Sequence, residues 1–272
     1  MTAKILLGTN WKMNKSLPEA ARYSRDLAVL LGKLRESERL QAFVIPPFTS
    51  IETMRQHSDG RFWVGAQNVH WADWGPYTGE ISVPMLCEAG VQLVLLGHAE
   101  RRQHFYETDE LVNRKLHAVL KNGLRALLCV GEREEEKDAG IEREVLSRQL
   151  QVALQSIALD AVSRLMVAYE PVWAIGEAGT VANVAYISQM LACIRSVLGQ
   201  ILGQRLAASV PLLYGGSINL ENAAEIVTID EGAGLFVGRA AWTIEGFDRL
   251  ISICLHESRR RETLAQKSER VS

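Results

Sequence analysis

The chain has 272 residues, of which 47% are hydrophobic and 23% are charged, and its formal net charge is −2. This composition is typical of an ordered globular protein and excludes collagen, mucin-like stalks and disorder, because glycine (21) and proline (7) are ordinary in number. No basic block is present to bind a phosphate backbone, so we expect no nucleic-acid partner. The length fits two ordinary domains or one large α/β domain.

The cysteines and the hydropathy pattern indicate the cellular compartment. The cysteines are too far apart for the Cys-x-x-Cys spacing of zinc or redox sites, and each lies in an apolar stretch, which predicts buried free thiols. No apolar run approaches the roughly 20 residues that span a bilayer, and the first ten residues become polar too soon for a signal peptide. We therefore expect a cytoplasmic protein with no membrane partner.

Short apolar runs recur along the whole chain. They are nearly continuously apolar rather than alternating, as expected for parallel strands that are covered on both faces. We predict eight strands, at residues 5–7, 43–45, 62–64, 93–96, 126–128, 165–168, 210–213 and 235–237.

Segments with helical spacing lie between these strands. One begins after Ser16, has Pro18 in its first turn and runs to about residue 34; others cover 108–122, about 138–159 and about 183–202. Repeated strand–helix units predict a single closed (β/α)8 barrel over residues 1–255, followed by a polar tail at 256–272 that we expect to fray. The alternative, a doubly wound open sheet, needs a glycine fingerprint where this chain has Asn-Trp-Lys-Met-Asn (10–14).

Polar residues follow several predicted strands, and in a barrel the C-terminal ends of the strands form the active site. The first strand ends in Asn10 and Lys12, the fourth in His98 and Glu100, and the sixth in Glu170. Glycine-bearing turns with exposed N–H groups bind anions, which predicts a phosphate site after the last two strands. These turns read Gly215-Gly216-Ser217 and Gly238-Arg239.

Each of these features also has an ordinary explanation. Lys12 could be a solvated surface charge, His98 could cap a helix, and Glu170 could merely end a strand before a proline. The double-glycine turn could be only a turn. Their common position after strands, on one face, favours an enzyme that uses acid–base chemistry on a small phosphorylated molecule.

Five motifs identify the chain as similar to the triosephosphate isomerase family, in family order and spacing over about residues 4–255. The string Glu-Pro-Val-Trp-Ala-Ile-Gly (170–176) is highly specific. The motifs are Asn-Trp-Lys-Met-Asn (10–14), Gly-His-Ala-Glu-Arg-Arg (97–102), Cys-Val-Gly-Glu (129–132), Ala-Tyr-Glu-Pro-Val-Trp-Ala-Ile-Gly (168–176) and Tyr-Gly-Gly-Ser (214–217).

The resemblance implies roles for four residues, in the pattern known for this family. Glu170 is the base that moves a proton between adjacent carbons, and His98 polarises the carbonyl as a neutral imidazole. Lys12 supplies positive charge near the substrate oxygens and the phosphate, and Asn10 also contacts the substrate. Because Lys12 and His98 supply the electrophilic assistance, we expect no metal and no organic cofactor.

The resemblance also implies a lid and a dimer. Residues 171 to about 181 resemble the lid that excludes water and protects the enediolate. The N–H of Gly176 reaches the phosphate from the lid tip, while the turns at Ser217 and Gly238 hold it from below. Residues 66–82 resemble a loop that inserts into a second subunit, with Thr78 near Lys12 of the partner subunit. A homodimer is therefore expected.

Four positions depart from the family pattern. Ala99 follows His98 where serine is usual, and the lid tip reads Gly-Glu-Ala-Gly (176–179) instead of Gly-Thr-Gly-Lys. The last phosphate turn has Arg239 where a second glycine is usual, and residues 70–74 are unusually aromatic. The Arg239 side chain could add charge near the phosphate, or it could point outward to a carboxylate.

These departures resemble a branch of the family that interconverts L-erythrulose 1-phosphate and D-erythrulose 4-phosphate. The matching strings are Gln-Asn-x-His-Trp-Ala-Asp (67–73), Gly-Glu-x-Gly (176–179) and Gly-Arg-x-Ala-Trp (238–242). Such a substrate is dihydroxyacetone phosphate with an added hydroxymethyl group, so the pocket must enlarge only away from the phosphate. We favour the tetrulose phosphate as the substrate. The alternatives are triosephosphate isomerase proper, a barrel that binds a phosphorylated metabolite without catalysis, and an aldolase-type lyase, which needs a Schiff-base lysine that no predicted strand carries.

Overall fold

The computed structural model describes residues 4–176 and 179–269. Eight parallel strands form a closed barrel in which each strand pairs with its chain neighbours and the last pairs with the first. The predicted (β/α)8 barrel is confirmed, and the open doubly wound sheet is excluded. The strands are β1 (Ile5–Asn10), β2 (Leu40–Ile45), β3 (Trp63–Ala66), β4 (Leu93–Leu96), β5 (Arg125–Val130), β6 (Leu165–Tyr169), β7 (Leu212–Tyr214) and β8 (Gly234–Val237).

Helices surround the barrel, and three of the four predicted helical segments are confirmed. The fourth, predicted over about 138–159, is shorter: the helix there spans Glu142–Ala153 and begins after Gly140, which has a φ of +69°. The helices are α1 (Leu17–Lys33), α2 (Ile51–Ser58), α3 (Val83–Glu88), α4 (Ala99–His104), α5 (Asp109–Lys121), α6 (Glu134–Asp138), α7 (Glu142–Ala153), α8 (Val184–Leu202), α9 (Gln204–Ser209), α10 (Ala223–Val227) and α11 (Ile244–Glu269).

The strands are mostly apolar because both of their faces are buried. On β5, Leu127 and Cys129 belong to the cluster inside the barrel, whereas Ala126 and Leu128 belong to the layer between the strands and the helices. Side chains pack together inside the barrel, as is usual for this architecture. The interior cluster consists of Leu6, Phe43, Ile45, Leu93, Leu95, Leu127, Cys129, Met166, Ala168, Leu213 and Phe236.

Two expectations about apolar segments need correction. The prediction of buried thiols is confirmed for Cys129 and Cys254, but Cys87 is exposed and Cys193 is only half-buried. Cys87 lies in α3, whose buried face is formed by other residues. Helix α8 is long and apolar enough, by length and composition, to cross a membrane, although 39% of that window is buried inside this protein. Its apolar character is that of a core helix packed on a barrel.

Most of the predicted C-terminal tail is helical. Helix α11 continues without a break through the predicted boundary at residue 256 and ends at Glu269. Glu257 is buried, and Arg259 pairs with Glu36 at 3.3 Å, so the beginning of the predicted tail packs against the barrel. The helix continues because the segment is rich in glutamate, arginine, alanine and leucine, which are good helix formers. Residues 270–272 of the predicted tail lie outside the described residues.

A steric constraint inside the barrel gives a test of the packing. Gly8 on β1 faces Phe43 on β2, and a Cβ atom at position 8 would lie 1.9 Å from the Phe43 ring. We expect Gly8→Ala to lower the free energy of unfolding by about 1–3 kcal/mol, because overpacking displaces a buried ring. The double variant Gly8→Ala, Phe43→Leu should recover part of the loss in urea unfolding at fixed protein concentration. An unchanged Gly8→Ala midpoint would contradict this packing.

Candidate active site

A cavity of about 580 Å³ opens at the C-terminal ends of the strands. Every predicted catalytic and substrate-binding residue lies on its wall, and Thr78 of the predicted dimer loop does not. The barrel therefore brings together side chains that are far apart in the chain. The predicted residues on the wall are Asn10, Lys12, His98, Glu170, Gly176, Ser217, Gly238 and Arg239.

His98 lies two residues after the end of β4 and is the N-cap residue of α4. Its Nδ1 atom accepts a hydrogen bond from the backbone N–H of Glu100 at 3.3 Å. A ring nitrogen that accepts a hydrogen bond carries no proton, so the neutral imidazole has its proton on Nε2. Nε2 lies 3.6 Å from Oε1 of Glu170, and the His98 side chain is buried. The histidine thus presents an N–H donor to the cavity.

Lys12 is held in a conformation that few non-glycine residues adopt. Its φ is +54°, and its backbone N–H donates to Oδ1 of Asn10 at 2.9 Å. Its carbonyl accepts a hydrogen bond from Nε2 of Gln67 at 2.7 Å, and the same nitrogen lies 3.1 Å from Oδ1 of Asn10. At the other end, Nζ pairs with Oε1 of Glu100 at 2.6 Å. These contacts fix the position of the ammonium group on the cavity wall.

Glu170 follows β6 and is 3% exposed. Its Oε2 atom is buried and has no hydrogen-bond partner among the described residues. Gly215 makes room for this side chain, since a Cβ atom there would lie 2.8 Å from Cγ of Glu170. Burial and the nearby Glu170 carboxylate hold the pKa of the Cys129 thiol well above its usual value, so that group stays protonated. Glu170 therefore presents a buried carboxylate to the cavity beside His98.

The turns after β7 and β8 form the opposite part of the wall. The Ser217 hydroxyl donates to the carbonyl of Ala174 at 2.7 Å, which ties the β7 turn to the segment after β6. The backbone N–H groups of Ser217 and Gly238 donate to no other residue in the described part of the chain. Trp242 connects the β8 turn to β1 through a 2.9 Å hydrogen bond from Nε1 to the carbonyl of Asn10. Unused N–H groups in such turns are suited to binding an anion.

A buried carboxylate anchors the segment that resembles a lid. Glu132 accepts hydrogen bonds from Nε1 of Trp173 at 2.7 Å and from the hydroxyls of Tyr169 and Tyr186, each at 3.0 Å. Burial raises the pKa of Glu132, and these donors oppose the shift. Nζ of Lys137 lies 3.7 Å from the centre of the Trp173 ring, a cation–π contact. Residues 177 and 178 of the predicted lid tip lie outside the described residues.

Thr78 lies in an exposed segment after β3, away from the cavity. The His70 ring contacts the Trp71 and Tyr77 rings, with centroid distances of 4.0 and 4.1 Å. Trp74, at the outer end of the segment, is 69% exposed. The segment is therefore packed on itself and presents an aromatic side chain outward.

Sequence reasoning did not assign roles to Gln67 and Glu132, although both occur in quoted motifs. Gln67 directly follows β3, and Glu132 lies two residues after β5. The rule that singled out Asn10 and Glu170, a polar residue just after a strand, applies to both of these positions. The rule could not show that Gln67 supports the Lys12 backbone. It also could not show that Glu132 anchors the segment that resembles a lid.

The comparisons with known proteins agree with this geometry. The family model described as "Triosephosphate isomerase" matches residues 5–254, which is nearly the whole barrel. The chain belongs to the triosephosphate isomerase family.

Curated relatives in this family carry the name "L-erythrulose-1-phosphate isomerase". One from Mesorhizobium japonicum is 47% identical over 243 residues, which cover 89% of this chain and 93% of the relative. One from Rhizobium rhizogenes is 42% identical over 91% of this chain and 94% of the relative. One from Mycolicibacterium smegmatis is 40% identical over 92% of this chain and 93% of the relative.

The geometry accounts for the isomerase chemistry of the family. A carboxylate, an imidazole N–H and an ammonium group share one cavity with turns suited to an anion. The carboxylate can remove a proton from the carbon beside a carbonyl, and the two donors can stabilise the resulting enediolate. The chain is therefore a phosphosugar isomerase of the triosephosphate isomerase type.

The substitution Glu170→Gln tests this assignment of the base, because it keeps the shape of the side chain and removes its basicity. We expect kcat for ketose phosphate isomerisation to fall by about 10²- to 10⁴-fold in steady-state assays. Glu221→Gln, at an exposed position outside the cavity, is the control and should retain full activity. Full turnover by the Glu170→Gln variant would show that another group is the base.

Proposed function

We propose that the chain interconverts L-erythrulose 1-phosphate and D-erythrulose 4-phosphate. The observation that carries the choice of substrate is the name shared by relatives that are 40–47% identical over about nine-tenths of this chain. The family model supports the triose phosphates as the alternative substrates.

In the proposed reaction, Glu170 removes the proton from C3 of L-erythrulose 1-phosphate. The electron pair moves to form the C2–C3 double bond, and the C2 carbonyl oxygen gains the negative charge of an enediolate. Nε2–H of His98 and Nζ of Lys12 stabilise that oxygen. Return of a proton to C2, with movement of the hydroxyl proton from the C3 oxygen to the C2 oxygen, gives the isomeric ketose. No atom is gained or lost.

The circular order of the strands supports a definite orientation of the substrate. β4 and β8 lie on opposite sides of the ring, since three strands separate them in either direction. With the phosphate at the turns after β7 and β8, the carbon chain extends towards His98 at the end of β4. The added hydroxymethyl group of a tetrulose phosphate then lies on the side away from the phosphate. The substrate differs from a triose phosphate only at that end.

The phosphate is bound, in this proposal, by the N–H groups of Gly176, Ser217 and Gly238. Arg239 lines the same part of the cavity and adds a positive charge to it. Because free enediolates eliminate phosphate, the segment from Pro171 to Val181 acts as a lid that excludes water. The anion site is local, which is compatible with the net charge of −2.

A cytoplasmic homodimer completes the proposal. Large apolar side chains are exposed in the segments that follow β1, β3 and β4, which are on one side of the barrel mouth. They include Met13 (94% exposed), Trp74 (69%) and Phe105 (64%). Exposed apolar groups of this size are typical of protein interfaces, and Thr78 belongs to the same region. Light scattering at micromolar concentration distinguishes a dimer from a monomer.

Side-by-side kinetics test the choice of substrate. We expect kcat/KM for L-erythrulose 1-phosphate to exceed that for dihydroxyacetone phosphate by at least about tenfold, which is about 1.4 kcal/mol of transition-state binding. An authentic triosephosphate isomerase, assayed in parallel, should show the reverse preference. A tenfold preference of this chain for the triose would overturn the proposed substrate and leave the isomerase chemistry intact. Binding of both compounds without turnover would favour a non-catalytic barrel.

A further inference from the structure

Two charged side chains hold the backbone of Gly97, the residue directly before His98. The N–H of Gly97 donates to Oε2 of Glu107 at 3.2 Å, and its carbonyl accepts from Nε of Arg102 at 2.7 Å. Gly97 has a φ of +70°, a conformation that glycine adopts readily. Hydrogen bonds to charged groups are about twice as strong as neutral ones. Both polar backbone groups of Gly97 are therefore fixed by ionised side chains.

These two side chains are themselves anchored. Nη1 of Arg102 pairs with Oδ1 of Asp109, and Nη2 donates to the carbonyl of Cys129 on β5 at 3.4 Å. The Arg102 and Asp109 side chains are only 16% and 11% exposed. Glu107 is buried and pairs with the buried Lys115. Arg102 thus connects the ends of two neighbouring strands to the first turn of α5.

The backbone conformation at Gly97 matters because it sets the position of the His98 ring relative to the backbone N–H of Glu100. Nδ1 of His98 accepts its hydrogen bond from the N–H of Glu100 at 3.3 Å, which is already long. A small rotation of the Gly97–His98 backbone would break this hydrogen bond. The proton of the imidazole would then no longer be confined to Nε2. Such a rotation would also move Nε2 away from the substrate oxygens.

We propose that Arg102 is a positioning residue for His98. By holding the carbonyl of Gly97, it keeps Nδ1 at the N–H of Glu100 and the proton on Nε2. Arg102 is not among the described residues that line the cavity, so it acts through His98 and not on the substrate. The inference rests on the proposed catalytic role of His98, and it is independent of whether a triose or a tetrulose phosphate is the substrate.

The chain offers a matched control. Nε of Arg148, on α7, lies 3.4 Å from Oδ2 of Asp109, the carboxylate that also pairs with Arg102. The Arg148 side chain is 59% exposed, and its ion pair is with Asp109 alone among the described residues. Loss of Arg148 therefore removes a positively charged partner of Asp109 without removing a hydrogen bond to Gly97.

The experiment compares Arg102→Lys, Arg102→Met and Arg148→Met, with L-erythrulose 1-phosphate and dihydroxyacetone phosphate as substrates. Lysine at position 102 keeps a positive charge for Asp109 but lacks the fork that reaches Asp109 and Gly97 together. For both Arg102 variants we expect kcat to fall about 10- to 100-fold with KM changed by less than about threefold, as for a misplaced catalytic group. The ¹⁵N spectrum of histidine-labelled protein should lose the Nε2–H pattern of His98. Arg148→Met should keep the wild-type kcat and the Nε2–H pattern of His98.

Two results would overturn the proposal. The first is a folded Arg102→Lys variant with wild-type kcat and an unchanged His98 spectrum. The second is an equal loss of kcat in Arg102→Met and Arg148→Met, which would indicate general stability. If circular dichroism shows that Arg102→Met does not fold, the kcat and the His98 spectrum of Arg102→Lys test the proposal. A wild-type protein that turns over neither substrate would instead refute the proposed function, and the spectra would still test the positioning of His98.

Discussion

Closure of the sheet, in which β8 pairs with β1, is the constraint on which the rest of the structure depends. It turns eight strand ends into a ring, so residues from β1, β4 and β6 face one cavity although they are distant in the chain. In an open sheet, the turn after β8 and the Asn10–Lys12 segment after β1 would lie at opposite edges. Closure instead makes them neighbours, and the hydrogen bond from Trp242 to the Asn10 carbonyl joins them at 2.9 Å.

Closure brings the functional groups together, but it does not orient them. Orientation comes from hydrogen bonds to the backbone just outside the strands. Gln67 supports the left-handed backbone of Lys12, and the N–H of Glu100 determines which ring nitrogen of His98 carries the proton. At Gly97, both backbone groups are held by ionised side chains. These contacts to the backbone therefore fix the orientation of the side chains on the cavity wall.

The sequence predicted the features that depend on local pattern. Continuous apolar runs located the strands, and polar residues at or shortly after the strand ends singled out Lys12, His98 and Glu170, which the structure places on one cavity wall. The boundaries were less accurate where a single residue decides them: β7 begins at Leu212, after Pro211, which lacks an N–H to donate, and not at residue 210. Contacts between distant segments could not be read from a local pattern. Gln67 and the Lys12 carbonyl, for example, are 55 positions apart.

The proposed chemistry follows from the residues around the cavity, whereas the proposed substrate follows from similarity to relatives. The proposed reaction depends on proton transfer between adjacent carbons by Glu170. The most direct test is the conversion of L-erythrulose 1-phosphate in D₂O, with NMR analysis of the product. A base that exchanges its proton with solvent predicts deuterium on the carbon next to the phosphate-bearing carbon of D-erythrulose 4-phosphate. Product that carries no deuterium, even after prolonged incubation, would contradict transfer by a base that exchanges its proton with solvent, and absence of product would contradict the proposed activity.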